Sequence, residues 1–462
     1  MILNPGIAER IDGATQLLEQ NRFEEAVNLL KIPQNVKVMP LESIGIFFNR
    51  AVALQGLNRL DEAFECYQKL LKLSPNEPIV HYNCGCLLRN LEHFESAMVE
   101  FNTAIALNPD YVSALYNRGN LWRQLGYTQE AFKDYSHAIA LAPNDAILYD
   151  ARGSIYVDMH QLDEALRDFD RALQLAPNDV IAHGNRGNVF EIMGCLKDAT
   201  TEYNKVIELD SRDSRAYMNR GYIYFRQEKY DNAIKDYSMA ISLRPSDAKA
   251  YANRAMAQMK KHYLKPALKD FDDAVRLAPK EPEYLIHRGQ LRSSLGDIPG
   301  ALKDVNDAIE LNPDLWEAYY HLGIIYSMIN RLDEAITAYT KMIELRSDYA
   351  SGFCYRGVAY AKQGKMAEAL ADYNKALELN PKHIAAYLNR GIIYRLLGDT
   401  VSSLADLDRA IELDPDNSAA YRNRAMIFIS LDKSLEAAQD NSTADELERK
   451  NNVEHSSVPD IS

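Results

Sequence analysis

The most constraining feature of the sequence is a proline that returns every 34 residues. The spacing runs from residue 75 to residue 415, ten periods without insertion or deletion, and Ser211 and Ser347 fill the two grid points that lack proline. Independent globular domains would not keep such a register, so the chain is predicted to be an array of equivalent units. The prolines on the grid are Pro75, Pro109, Pro143, Pro177, Pro245, Pro279, Pro313, Pro381 and Pro415.

Each unit is predicted to consist of two short helices packed back to back. With the proline as position 32, twelve repeats begin at residues 44, 78, 112, 146, 180, 214, 248, 282, 316, 350, 384 and 418. Position 8 is glycine or alanine in all twelve, position 20 is alanine in eleven, and positions 24 and 27 are aromatic and alanine, respectively, in nine each. Glycine inside a helix costs about 1 kcal/mol relative to alanine, so its recurrence predicts a close approach of the two backbones. Aspartates at position 18 are predicted to cap the second helix, as in Asp61, Asp163, Asp231 and Asp333.

This pattern of small residues at positions 8, 20 and 27, an aromatic residue at 24 and proline at 32 is similar to the tetratricopeptide repeat. The resemblance covers residues 44–451 and implies an all-α fold, a right-handed α-solenoid of about 12–13 helix pairs whose first helices line a concave groove. Residues 1–43 are expected to form an imperfect N-terminal capping unit and linker. The last repeat, with Asn441 where an aromatic residue is expected, is a degenerate cap, and residues 452–462 are expected to form a disordered tail.

Composition narrows the classes of partner. With 52 lysines and arginines against 66 acidic residues, the formal net charge is −14, which disfavours nucleic acid and anionic membrane surfaces. No run of 18 apolar residues is present, and the first residues lack the features of a signal peptide. The five cysteines are few and irregularly spaced, which favours free thiols. We therefore expect a soluble cytoplasmic protein without membrane insertion, and leave a ciliary or nuclear location open.

Position 6 carries the candidate binding residues. A helical wheel places it on the side of the first helix turned away from the partner helix. A carboxamide both donates and accepts hydrogen bonds, so a row of asparagines can hold a peptide backbone whatever its side chains. The row is similar to the asparagine ladder in the superhelical repeats of O-linked N-acetylglucosamine transferase, which implies a peptide groove. The alternative is inheritance within a duplicated unit, with the amides merely solvated. The eight residues are Asn49, Asn83, Asn117, Asn185, Asn219, Asn253, Asn389 and Asn423.

Other side chains on the same helices are expected to give the groove selectivity, namely Tyr82, Tyr116, Tyr222 and Met256. The asparagine row is interrupted first by Ala151. In three consecutive repeats it is then replaced by His287, His321 and Tyr355, near Trp316, Tyr319 and Tyr320. A separate aromatic pocket is one interpretation, but drift of the packed core is favoured. The two histidines lie one repeat apart without a third ligand, so no metal site is expected.

Position 7 is arginine in ten repeats, which raises the hypothesis of a phosphate or acidic-partner site. Nine of these ten repeats carry an acid at position 23, and Arg50 with Cys66 is the exception. Pairing between the two helices of one repeat is the simpler interpretation, and it leaves the arginines neutralised.

Two further functions receive weaker support. Some cochaperones with these repeats clamp a terminal carboxylate through five groups, of which this chain matches three, Asn188, Asn219 and Lys249. Gly184 and Asn253 stand where two of the cations are required. No catalytic constellation, cofactor motif or phosphate-binding loop is recognisable, so an enzyme is not expected.

The sequence therefore predicts a non-enzymatic scaffold or adaptor that binds extended peptide segments or partner helices of other proteins. Two alternatives stay open. One is a structural or regulatory subunit of a large assembly, for example ciliary or transport machinery, held by other faces. The other is a cochaperone that binds chaperone tails.

Overall fold

The computed structural model describes residues 5–31 and 38–456 and shows an all-α solenoid, with no strand in these ranges. The chain divides into two compact units, Met1–Gln227 and Glu228–Ser462. Within each unit every helix packs against the next along the chain, and first helices of successive repeats also touch. This is the helix-pair stacking that the 34-residue period predicts.

In the first unit, an N-terminal helix pair precedes the regular repeats. The helices are α1 (Pro5–Glu19), α2 (Phe23–Leu29), α3 (Pro40–Gly56), α4 (Leu60–Leu73), α5 (Pro78–Asn90), α6 (Phe94–Leu107), α7 (Val112–Gln124), α8 (Thr128–Leu141), α9 (Ala146–Asp158), α10 (Leu162–Leu175), α11 (Val180–Ile192), α12 (Leu196–Leu209) and α13 (Ser214–Arg226).

In the second unit the same alternation continues to the last helix. The helices are α14 (Tyr230–Leu243), α15 (Ala248–Lys260), α16 (Leu264–Leu277), α17 (Pro282–Ser294), α18 (Ile298–Leu311), α19 (Trp316–Met328), α20 (Leu332–Leu345), α21 (Ala350–Lys362), α22 (Met366–Leu379), α23 (Ile384–Leu396), α24 (Thr400–Leu413), α25 (Ser418–Ser430) and α26 (Ser434–Ser456).

The predicted caps at position 18 are wrong. The residue at position 15 takes a left-handed conformation, as in Asn58 and Gly126, and the second helix begins two residues later, at position 17. The aspartates therefore lie inside the first turn, where their negative charge interacts favourably with the positive end of the helix dipole. Two second helices have a side-chain cap at position 16 instead, at Asp297 and Asp399. First helices are capped from position 34 of the preceding repeat, as at Asp145, Asp179, Asp213 and Asp247.

The small residue at position 8 makes room for the ring at position 24 of the same repeat. A Cβ added to Gly119 would lie 2.6 Å from Tyr135 Cε1, and one added to Gly85 would lie 2.8 Å from Phe101 Cε1. The close approach is thus backbone to aromatic ring, rather than backbone to backbone as the sequence suggested. Because the ring is fully buried, a methyl group there would force it out of its packing position.

The arginine row is internal, as the pairing interpretation predicts. In a typical repeat, Arg118 Nε and Nη2 donate to both oxygens of Asp134 at 2.8 and 2.7 Å, and Nη1 donates to Asn102 of the preceding repeat at 2.7 Å. Arginines bonded in this way join three helices, whereas Arg152 donates to Asp168 on its partner helix. The position-7 row is thus occupied by partners within the protein. Such pairs form at Arg118, Arg152, Arg186, Arg254, Arg288, Arg356, Arg390 and Arg424. Arg50, the predicted exception, leaves its buried Nε without a hydrogen bond in the described part of the chain.

The C-terminal boundary differs from the expectation. The next grid point after Pro415 is residue 449, which is arginine, so no proline ends the last helix. Helix α26 accordingly continues to Ser456, and residues 452–456 of the expected tail are helical. The rest of that segment, residues 457–462, lies outside the described residues.

Candidate functional site

The position-6 asparagines differ in how much of the side chain remains accessible. Asn49 is only 8% exposed, because α1 packs over it and its amide donates to Ile11 O at 3.1 Å and to Thr15 Oγ1 at 2.9 Å. The N-terminal helix pair thus occupies the place where a ligand would meet this residue. Asn49 does not join the candidate binding face.

On the first helices that follow, the amides form lateral hydrogen bonds to position 5 of the preceding repeat. Asn117 Nδ2 donates to Tyr82 Oη at 3.2 Å, and Asn185 Nδ2 donates to Asp150 Oδ1 at 2.9 Å. Burial raises the pKa of Asp150, which the Asn185 amide partly offsets. Asn83 Nδ2 donates along its own helix to Ile79 O at 2.8 Å. These half-exposed amides are oriented by the protein before any ligand arrives.

Asn219 is the exposed member of the row, and it lies at a pocket. The pocket has a volume of about 430 Å³ and is built by α11, α12 and α13 of the first unit. Asn185, Asn188 and Asn219 line it with three carboxamides, and Tyr203 lies in its wall. It is the place in the first unit where several predicted residues converge.

This pocket contains two of the three matches to a carboxylate clamp. Asn188 and Asn219 line it, but Gly184 stands where the clamp lysine is required. Lys249, the third match, lies on α15 in the second unit. A carboxylate would find no lysine at this position, so the geometry of the first unit does not favour a clamp.

In the second unit the remaining asparagines are half-buried. Asn389 Nδ2 lies 3.9 Å from Cys354 Sγ, and Asn423 Nδ2 donates to Ala419 O at 2.8 Å, while Asn253 is half-buried on α15.

Of the four residues expected to give selectivity, three are packed against neighbouring side chains and one is exposed. Tyr82 packs against Phe101 and Tyr111, Tyr116 packs against Tyr135, and Met256 joins a buried cluster. Tyr222 is the most exposed of the four, at 42%.

The aromatic segment of repeats 8–10 packs mainly against itself. Tyr355 stacks on Tyr339 with ring centroids 5.9 Å apart, and Tyr320 donates to Tyr355 Oη at 3.4 Å. The Arg346 guanidinium lies over the Trp316 ring, 4.6 Å from its centroid. These contacts agree with the favoured interpretation, in which the core has drifted, rather than with an open pocket.

Reactive chemistry is not evident at the cysteines. All five are free, and burial raises the pKa of Cys354 to about 11 and that of Cys84 to about 12, which keeps both as thiols at neutral pH. The described residues contain no group of three or more His, Cys, Asp or Glu side chains placed to hold a metal ion. Among the described helices, none combines the length and apolar character needed to cross a bilayer.

Comparison with known proteins agrees with this helical-repeat architecture. Models described as tetratricopeptide repeat match residues 79–111, 112–145, 214–247, 306–337, 350–383 and 384–417, and a model described as TPR repeat matches residues 56–91, 153–194 and 329–364. Together these matches cover more than half of the chain. The chain belongs to the tetratricopeptide repeat family. The fold of this family suggests a scaffold for protein–protein interaction.

Solved structures of similar fold are numerous. A tetratricopeptide repeat protein from Parabacteroides merdae is 21% identical over 51% of this chain and 94% of its own, with a TM-score of 0.44. YrrB, described as a TPR protein with an unusual peptide-binding site, is 24% identical over 40% and 96%, with a TM-score of 0.34. The APC/C hetero-tetramer Cut9-Hcn1 is 13% identical over 90% and 95%, with a TM-score of 0.47. No curated protein sequence matches the chain.

Proposed function

We propose that this protein is a non-enzymatic scaffold that binds extended peptide segments of other proteins on the exposed face of its first helices. The observation that carries the proposal is the row of amides in the first unit, where Asn117, Asn185 and Asn219 lie on α7, α11 and α13, with Ala151 on α9 between the first two. Asn117 and Asn185 are held by lateral hydrogen bonds, so little side-chain entropy remains to be lost on binding.

The arginines support the proposal by elimination. The paired position-7 guanidiniums satisfy buried carboxylates, so the cationic row does not compete for ligands with the neutral amides. What the face offers is carboxamides interleaved with apolar residues, among them Ile147 and Ile181, which are both more than half exposed. Such a surface suits an uncharged peptide backbone with apolar side chains.

The test is binding of a library of N-acetylated, C-amidated decapeptides, which when extended are long enough to pass from α7 to α13, to the full chain. Replacement of Asn117, Asn185 and Asn219 by alanine together removes about three hydrogen bonds, each contributing about 1 kcal/mol, so Kd is expected to rise about a hundredfold. Helicity should stay unchanged in circular dichroism, because alanine favours helix more than asparagine does.

A matched control is available on the second helices. Lys133, Arg167 and Thr201 occupy the same repeat position on α8, α10 and α12 and are exposed, and their replacement by alanine should leave Kd unchanged. Equal affinity of the asparagine triple variant and the wild type would contradict the proposal and favour a scaffold held by its other faces.

A further inference from the structure

Position 5 of the first helix is the side chain that fills the space between neighbouring first helices. Tyr82 and Asp150 occupy it before Asn117 and Asn185, and Tyr320 occupies it before Tyr355. In repeat 5 the residue is Gly184, and no atom outside its immediate surroundings lies within 4 Å of where its Cβ would be. One side chain is therefore missing from the face, and the space is open.

That space is continuous with the 430 Å³ pocket described above. Its walls include the apolar residues Val180, Ile181, Val206 and Ala216, and Ile181 stands 64% exposed at the rim. Apolar walls around a polar end are typical of sites that accept one flexible side chain.

The pocket also has a buried polar group, the Tyr203 hydroxyl, that makes no well-formed hydrogen bond. Tyr203 is 1% exposed, and its Oη makes no well-formed hydrogen bond although Asn219 and Glu191 lie near it. The equivalent Tyr67 donates to Gln55 Oε1, and Tyr135 donates to Asn120 Oδ1, each at 2.7 Å. A buried hydroxyl without a partner is costly, so a ligand that supplies one gains affinity.

The two charged side chains that line the pocket, Asp213 and Arg215, lie close to each other. The Asp213 carboxylate accepts from the backbone N–H groups of Arg215 and Ala216 at 2.8 and 3.1 Å, and Arg215 Nη2 lies 3.6 Å from Asp213 Oδ2. The remaining polar lining consists of carboxamides and the Tyr203 hydroxyl. A carboxamide both donates and accepts, so it can pair with both kinds of polar atom in this lining, whereas an ammonium only donates and an ionised carboxylate only accepts.

We propose that the pocket at Gly184 binds the side chain of a glutamine in an extended peptide, with its methylenes against Ile181 and Val206 and its carboxamide among the asparagines. Gly184 is then the residue that determines specificity, because any larger residue fills the site. This inference rests on the proposed function, since it names the side chain that the peptide inserts.

The experiment uses the same library of capped decapeptides as a positional scan on the full chain. One position is expected to select glutamine, and glutamate, lysine or norleucine there should bind at least tenfold more weakly. In Gly184→Leu the preference should disappear, with affinity falling about tenfold to the level of the norleucine peptide. Leucine is present at this position in repeat 11, as Leu388, and favours helix more than glycine, so the variant should melt no earlier than the wild type. Thr201→Leu, exposed elsewhere on α12, should change nothing.

The outcomes separate the two proposals. If no peptide of the library binds the wild type, the proposed function fails and the pocket assignment fails with it. If peptides bind but no position prefers glutamine, or if Gly184→Leu keeps the preference, the pocket assignment is overturned while the proposed function stands. Selection of an apolar residue at that position would equally overturn it.

Discussion

The same helix position has two different characters in the two units. In the first unit, position 6 is asparagine on α5, α7, α11 and α13, and its amides are half-exposed or exposed. In repeats 8–10 of the second unit it is His287, His321 and Tyr355, which pack against aromatic neighbours. Tyr355 still contacts position 5 of the preceding repeat, as Asn117 and Asn185 do. The repeat thus fixes where the position-6 side chain lies. The type of residue there decides whether the face is polar and accessible or is covered by packed aromatic rings.

The largest effect is expected in the framework that both regions share. Arg152→Ala in the first unit and Arg356→Ala in the second each leave a buried aspartate unpaired, Asp168 and Asp372. Each change should lower the local free energy of unfolding by about 3–5 kcal/mol, as for other broken buried pairs. Native-state hydrogen exchange of the surrounding helices measures it, because a long repeat array need not unfold in two states.

The control for that prediction is Arg331→Ala. Arg331 pairs with Glu334 on the surface, so its loss should cost less than about 1 kcal/mol. A large effect in only one of the two units would show that the arginine row does not support both regions alike.

A smaller effect should distinguish the two regions by how their free energy of unfolding depends on pH. Burial, with a contribution from neighbouring His287, lowers the pKa of His321 to about 4, and burial lowers the pKa of His287, against the opposing effect of Glu283. Because the folded state favours neutral His321, the unfolded chain binds the proton first. The free energy of unfolding of repeats 8–10 should therefore fall by about 2–3 kcal/mol as pH drops from about 6.5 to 4.

His321→Asn tests this pH dependence directly, because asparagine is the usual residue at position 6 and does not titrate. Hydrogen exchange of α19 in this variant should lose most of the pH dependence seen in the wild type. If α19 in both proteins responds equally to pH, the histidines are not its source.

Much of the fold could be predicted because the same residue pattern recurs in every repeat. The prolines gave the period, and the covariation of position 7 with position 23 predicted the ion pairs that the structure shows at Arg118 and Asp134. A cap at Asp61 predicts that the second helix starts after residue 61, whereas the left-handed turn at Asn58 lets it begin at Leu60.

The candidate site was harder to predict than the fold. A helical wheel treats one helix alone, so it could not show that α1 covers Asn49 or that Asp150 holds Asn185. The pocket depends on three helices at once. Its signal in the sequence is Gly184, the single glycine among the position-5 residues, but a comparison with the carboxylate clamp shows there only the absence of a lysine.

The most direct test of the central claim is a hydrogen-exchange footprint of a library-selected decapeptide on the full chain. If the asparagine-bearing face of the first unit is the binding surface, protection on peptide addition should concentrate on α7, α9, α11 and α13. The aromatic helices α17, α19 and α21 should show no change. Protection confined to those three helices, or to the second helices of the repeats, would contradict the account.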